Sequence, residues 1–264
     1  MQDLTITLVQ PQPAWHQIEK NLTYFSGLLA SLHQPTDVVV LPEMFTTGFT
    51  MDSARVAEKM TGRTHTWMQA QAARLKAAVC GSIVIKENGH YYNRFLWVTA
   101  NGETRHYDKR HLFRMAGEHD HYRAGSKVIT LAYKGWRLRP MVCYDLRFPV
   151  WARNQTESDR LAYDLLLYVA NWPAARVNAW DALLRARAIE NLAYCAGVNR
   201  VGEDEKSIVY NGHSALYGPK GEKLCFMEEN DTIATITLSK TNLEAFRKQF
   251  PAYLDADNFN LINE

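Results

Sequence analysis

Hydrophobic positions along this chain switch repeatedly between two spacings. Thr5 to Val9 is a short, largely apolar and β-branched run, which predicts a buried strand. Ile18, Leu22, Phe25, Leu29 and Leu32 then recur three or four residues apart, predicting a helix from about Gln17 to His33. Asp37 to Leu41 reads DVVVL, too apolar for a strand with one wet face, so both of its faces should be covered. A helix over Trp67 to Ala78 and a strand over Val79 to Lys86 follow. The runs Tyr91 to Thr99 and Glu103 to Tyr107 flank Asn101-Gly102, a pair suited to the positive φ of a tight hairpin turn. Val128 to Leu131, Trp136 to Cys143 and Leu165 to Val169 predict further strands. A long amphipathic helix over Ala175 to Tyr194 sets Val177, Trp180, Leu184, Ala188 and Leu192 on one face. Ser207 to Tyr217, Leu224 to Met227 and Thr232 to Leu238 read as strands, with a hairpin turn at Gly218-Pro219-Lys220-Gly221. A short helix near Lys240 to Lys248 precedes a polar tail.

Strands alternating with helices and hairpins predict an α/β layered fold. About ten strands exceed what one open sheet carries comfortably, so two sheets are expected. No linker, low-complexity stretch or repeat divides the sequence. One domain over residues 1–264 is therefore expected, with a core at about 4–238 and a C-terminal helix and tail at 239–264.

Composition narrows the class. With 47% hydrophobic, 22% charged and 11% aromatic residues among 264, the chain can bury a large core, and disordered, collagen-like and disulfide-scaffold classes drop out. Lys plus Arg number 30 against 28 Asp plus Glu, a net charge of +2, with no basic stripe for nucleic acid. No apolar run approaches the roughly 18 residues of a membrane helix. Met1-Gln2-Asp3-Leu4 carries an acid where a signal peptide would carry basic charge. Cys80, Cys143, Cys195 and Cys225 lie far apart with no C-x-x-C pair, which reads as a reduced, cytoplasmic protein.

Three segments each place one reactive side chain at the end of an apolar strand. In Leu41-Pro42-Glu43-Met44-Phe45, burial would raise the Glu43 carboxyl and suit it to general-base work; alternatively it is a solvated acid opening a loop. In Tyr107-Asp108-Lys109-Arg110-His111-Leu112-Phe113, Lys109 is either part of a surface basic patch or a buried, paired cation. In Val142-Cys143-Tyr144-Asp145-Leu146-Arg147-Phe148-Pro149, Cys143 stands where a strand turns sharply toward a helix. Such an elbow exposes a nucleophile beside backbone amides, although an inert core cysteine fits the same residues.

Taken together, these motifs in the order Glu, Lys, Cys resemble the nitrilase superfamily of carbon–nitrogen hydrolases. The resemblance runs from the first strand to about Leu238 and extends to Asn171-Trp172-Pro173 and to Arg185-Ala186-Arg187-Ala188-Ile189-Glu190-Asn191. Tyr107 to Phe113, Cys143 to Pro149 and Val169 to Pro173 are similar to the versions found in the ω-amidase subgroup, which acts on 2-oxoglutaramate. The resemblance implies a four-layer α-β-β-α sandwich, two mixed sheets flanked by helices, usually as a homodimer. It implies Cys143 as nucleophile, Glu43 as proton carrier, and Lys109 with the Tyr144 backbone N–H as oxyanion donors. Glu118 matches a second, supporting glutamate. No metal or organic cofactor is implied.

The activity expected from it is hydrolysis of a small carboxylate-bearing amide, 2-oxoglutaramate or 2-oxosuccinamate, by water through a thioester. Such a substrate needs a cation, and Arg114, Arg147 and Arg176 lie near the motifs, with Asn171 and Trp172 as further binding candidates. Two departures are noted: Val150 stands where many relatives carry an acid, and Asn154 to Arg160 is a slightly long polar loop; both are expected near the pocket. Other readings stay open: an N-carbamoyl amino acid amidohydrolase, a nitrilase, or a catalytically silent binding protein of the same fold. His106, His111, His119 and His121 crowd together but lack metal-ligand spacing. No resolving cysteine lies near Cys143 for a redox role.

Overall fold

The computed structural model describes residues 2–157 and 160–261. Its first half holds β1 (Leu4–Gln10), α1 (Ile18–Ala30), β2 (Val38–Val40), α2 (Ser53–Val56), α3 (Arg63–Leu75), β3 (Ala78–Glu87), β4 (His90–Val98) and β5 (Thr104–Asp108). There follow α4 (Glu118–His121), β6 (Leu131–Tyr133), β7 (Trp136–Val142), α5 (Pro149–Ala152), β8 (Thr156–Glu157), β9 (Arg160–Leu161), β10 (Leu165–Val169) and α6 (Val177–Glu190). The chain closes with β11 (Tyr194–Val198), β12 (Val201–Glu203), β13 (Val209–Asn211), β14 (Ala215–Tyr217), β15 (Lys223–Phe226), β16 (Thr232–Leu238) and α7 (Lys240–Gln249).

Two six-stranded sheets carry the fold, in the orders β16-β1-β2-β3-β4-β5 and β15-β14-β11-β10-β7-β6. Both are mixed: β1, β2 and β3 run parallel, as do β7, β10 and β11, while the outer strands are antiparallel. The alternation within DVVVL decides the layering. Val38 and Val40 join the core shared with Leu138, Met141 and Leu167 of the second sheet, whereas Val39 and Leu41 pack with Phe25 and Leu29 of α1 and Met68 of α3. α6 covers the second sheet through Trp180, Leu184 and Ala188. The result is the expected α/β sandwich of two mixed sheets between helices, and no helix among the described residues is long and apolar enough to cross a membrane.

The elements depart from the sequence pattern at several places. α3 begins at Arg63 rather than Trp67, and the predicted strand over Val128 to Leu131 is ordered as a ladder only from Leu131. The predicted strand over Ser207 to Tyr217 is two strands in different sheets, broken where Gly212 and His213 take φ of 74° and 60°. The predicted helix to Tyr194 ends at Glu190, because Leu192 takes φ 47° and turns the chain into β11, parallel to β10. That strand was hidden by its small residues, and the fold requires them. A Cβ on Gly197 would stand 2.5 Å from Leu184 Cδ1 and 2.7 Å from Trp180 Cζ2, so only glycine lets α6 approach the sheet this closely.

Candidate active site

Strand ends deliver the reactive side chains. β2 hands the chain to Leu41-Pro42-Glu43, which lies across β3: the Leu41 N–H donates to Cys80 O at 2.7 Å, and the Ser82 N–H to Pro42 O at 3.3 Å. Gly81 permits this approach, since a Cβ there would meet Leu41 Cβ at 2.8 Å. Lys109 follows β5 directly, and its N–H donates to Asn93 O at 3.0 Å. Cys143 follows β7, where φ of 45° turns the backbone abruptly into the 3-10 turn Cys143–Arg147. The Tyr144 amide, in the first turn of that helix, has no intrahelical acceptor.

The structure brings Glu43, Lys109 and Glu118 together, each with its side chain fully buried. Lys109 Nζ donates to Glu43 Oε1 at 2.9 Å, and to Glu118 Oε1 and Oε2 at 3.1 and 2.9 Å. Burial alone would lower the Lys109 ammonium, but the Glu118 and Glu43 carboxylates outweigh it and hold it above the usual lysine range. The Glu118 carboxyl is raised, first by burial and then by the Glu43 charge, with Lys109 opposing. On its other oxygen, Glu43 Oε2 accepts the Asn171 N–H at 2.8 Å, while Asn171 Nδ2 donates to the Glu43 backbone carbonyl at 2.7 Å. Cys143 Sγ lies 3.9 Å from Asn171 O. Burial pushes the thiol well above its ordinary range; the Glu43 charge adds to this and Lys109 opposes it. At rest this sulfur is a thiol, and a nucleophilic role needs a base to take its proton when a substrate arrives.

A cavity of about 580 Å³ opens over Cys143 and Lys109. Tyr144, Arg147, Asn171, Trp172 and Arg176 line it. The Arg147 guanidinium lies 5.1 Å from the Trp172 ring centroid, and that of Arg176 lies 5.2 Å from the Phe113 ring. Trp172 is itself clamped: its N–H donates to Asn199 Oδ1 at 2.8 Å, and its carbonyl accepts from Asn199 Nδ2 at 3.0 Å.

Three expectations need correction. Arg114 does not line the cavity; it is exposed on the 3-10 turn Arg114–Ala116, which gives Phe113, Met115 and Ala116 to the pocket wall instead. Val150 is 53% exposed on α5, away from the cavity. The described part of the loop from Asn154 to Arg160 folds largely as the β8–β9 ribbon and borders the C-terminal segment around Tyr253 and Asn258, so neither departure shapes the pocket; Ser158 and Asp159 lie outside the described residues.

Several contributors carry no sequence signal of their own. Asn93 and Ser82 sit in the middle of strands, yet Asn93 Nδ2 donates to both glutamates. Phe49, Met51 and the segment Lys206–Tyr210, which runs into β13, complete the cavity wall where no motif marks them. Asp145, two residues past Cys143, is fully buried and joins the elbow to the Lys109 segment. Its carboxylate accepts the Val142 N–H at 2.9 Å, the Tyr107 hydroxyl at 2.8 Å, and the His111 N–H and Nδ1 at 3.0 and 2.7 Å.

Comparison with known proteins bears on the family and the fold. The family profile described as Carbon-nitrogen hydrolase matches residues 5–248. The chain is 47% identical over 263 residues to Omega-amidase YafV of Yersinia enterocolitica, covering 99% of this chain and 100% of that one. It is 28% identical over 254 residues to the 2-oxoglutaramate amidase of Bacillus subtilis, covering 95% and 96%. Among solved structures, XC1258 from Xanthomonas campestris, a CN-hydrolase superfamily protein with an arsenic adduct in its active site, superposes with a TM-score of 0.97 at 46% identity, covering 99% and 100% of the two chains.

Proposed function

The chain belongs to the carbon–nitrogen hydrolase family, and from that premise we propose that it is a cysteine-dependent ω-amidase acting on 2-oxoglutaramate or 2-oxosuccinamate. The observation that carries the reading is the convergence of three side chains remote in sequence: Cys143 and Lys109 line one cavity, and Glu43, buried behind it, bonds to Lys109 and to the Asn171 segment beside Cys143. The names of the amidase relatives supply the substrate class, and the charges at the cavity wall support it. Arg147, Arg176 and Lys206 lie at the wall, where a substrate carboxylate would meet them, while Asp204, the one carboxylate of the wall among the described residues, is occupied by the Lys206 and Ile208 amides and the Tyr210 hydroxyl.

In the reaction, Glu43 takes the thiol proton as Cys143 Sγ attacks the amide carbon. The new oxyanion meets the Lys109 ammonium and the Tyr144 N–H, fixed donors in a site largely closed to solvent. Glu43 then returns the proton to the departing nitrogen. Ammonia leaves and a thioester remains on Cys143. Water, deprotonated by Glu43, attacks that thioester, and its collapse releases the carboxylate and restores the thiol. Glu118 keeps Lys109 in place through both half-reactions. The same reading makes the chain one domain, working as a homodimer in the cytoplasm; sedimentation of the purified protein tests the assembly.

Ammonia release from 2-oxoglutaramate, 2-oxosuccinamate, N-carbamoyl amino acids and nitriles tests the substrate assignment. The highest kcat/KM is expected on one of the two ω-amides. Turnover confined to carbamoyl compounds or nitriles would replace this reading with one of those activities, and no turnover of any would point to a silent binding protein.

A further inference from the structure

Glu43 and Glu118 share a single ammonium with all three side chains buried, so with both carboxyls ionised the cluster holds one negative charge more than positive. Burial and mutual repulsion both favour uptake of a proton by such a pair. A protonated Glu43 could not serve as a base. A neutral donor stands at the point where this would be decided. Asn93, only 1% exposed on β4, directs Nδ2 at Glu43 Oε1 at 2.7 Å and at Glu118 Oε1 at 3.2 Å. The direction of its amide is fixed from the next strand. Ser82 Oγ accepts the Met44 N–H at 2.9 Å, so its single proton goes to Asn93 Oδ1, 2.8 Å away. A flipped amide would set an oxygen against two carboxylates and an NH2 group against a hydroxyl proton.

We propose that Asn93, locked by Ser82, is a positioning residue that keeps Glu43 ionised and aimed as the base. The proposal rests on the reading of Glu43 as the proton carrier. Among the described residues, Lys109 from the segment after β5, Cys143 from the elbow, Tyr122 after α4 and Tyr210 from β13 are the other titratable groups around the Glu43–Glu118 pair. Burial raises both tyrosines and the thiol, and Lys109 is held above its usual range, so none of these changes charge in acid. The acid limb of kcat/KM is therefore the readout on which the proposal is tested.

The test is the pH profile of ammonia release from 2-oxoglutaramate by wild type, N93A, S82A and E43Q, with the rate of Cys143 alkylation by iodoacetamide measured alongside. In N93A the acid limb is expected to move up by about one pH unit, so activity falls roughly tenfold on the acid side and recovers toward the alkaline plateau. S82A, which frees the amide to turn, is expected to move it in the same direction by less. A uniform loss at every pH with the limb unmoved overturns the proposal, and S82A decides by the same criterion if N93A does not fold. E43Q separates the two readings. If it keeps wild-type turnover and limb, Glu43 is not the base; if it is inactive while the limb stays fixed in the Asn93 and Ser82 variants, only the role given to Asn93 fails.

Discussion

Asp145→Asn tests whether the elbow and the lysine segment depend on one carboxylate. The replacement keeps the outline of the side chain while removing its charge and turning one oxygen into an NH2 group. Oδ2 accepts from the Val142 N–H and the Tyr107 hydroxyl; Oδ1 accepts from the His111 N–H and Nδ1. Whichever way the new amide sits, its NH2 group opposes a backbone N–H, that of Val142 or that of His111. One buried donor loses its acceptor, at roughly 1–3 kcal/mol, and the remaining bonds lose charge assistance, about 1 kcal/mol or more each. A total near 3–5 kcal/mol follows, lowering the melting midpoint on the order of 10 °C in a chain of this size.

Activity should fall further than stability explains. Cys143 is two residues from Asp145 and Lys109 two from His111, so the lost anchor lets the nucleophile and the cation drift apart, and a displacement of about 1 Å costs on the order of 100-fold. The assay is a thermal melt combined with kcat and KM measured well below both midpoints, where the variant is folded. Tyr107→Phe removes one of the four donors and also the acceptor of the Trp151 Nε1–H and Arg110 N–H groups, so it should cost roughly 1–3 kcal/mol with little loss of kcat. A D145N midpoint within about 2 °C of wild type, with kcat intact, would refute the reasoning.

How much of this was legible in the sequence depends on whether a residue's environment is local. Val38 to Leu41 announce a doubly covered strand because four apolar residues in a row exclude a wet face, and the structure divides them between two cores. Glu43, Lys109 and Cys143 stand out because each follows a strand, where the chain leaves the sheet and can present a side chain. β11 does not stand out. Tyr-Cys-Ala-Gly-Val continues the apolar character of the preceding helix, and the reason for its small residues is α6, which packs across it. Asn93 and Asp145 are silent for a related cause. A polar residue inside an apolar strand or turn is legible as exceptional, but the glutamates that Asn93 meets lie 50 and 25 residues away, and the Tyr107 and His111 that Asp145 holds lie 38 and 34 away. Arg114 shows the converse error. Nearness in sequence to Lys109 suggested nearness to substrate, whereas a short 3-10 turn carries it to the outside.

Other perturbations have equally definite outcomes. Cys143→Ala should abolish ammonia release while leaving the fold intact, and Cys143→Ser should be nearly as inactive, because an alcohol is a weak nucleophile at neutral pH; wild-type kinetics in either would contradict the assignment. Arg147→Ala and Arg176→Ala should lower kcat/KM for 2-oxoglutaramate more than for its uncharged amide analogue, and equal losses on both substrates would remove that arginine from carboxylate binding. Arg247→Met reaches the stability of the second half of the chain. Asp164 is fully buried with Arg247 Nη1 at 2.8 Å and Lys240 Nζ at 2.6 Å, and although burial alone would raise its carboxyl, Lys240 and Arg247 hold it below the usual aspartate range. A carboxyl depressed in the folded state stabilises fully above its unfolded value of about 3.9, and that contribution is lost as pH falls through the folded value. Removing the arginine also strips donors from the Leu192 and Tyr163 carbonyls, so the variant should lose about 3 kcal/mol or more at neutral pH. Its Asp164 carboxyl then lies nearer the unfolded value, so the gap between variant and wild type should narrow as pH falls below about 4. Melting midpoints measured from neutral to acid pH check this: curves that stay parallel throughout would show that Asp164 draws its stabilisation from something other than the cation removed.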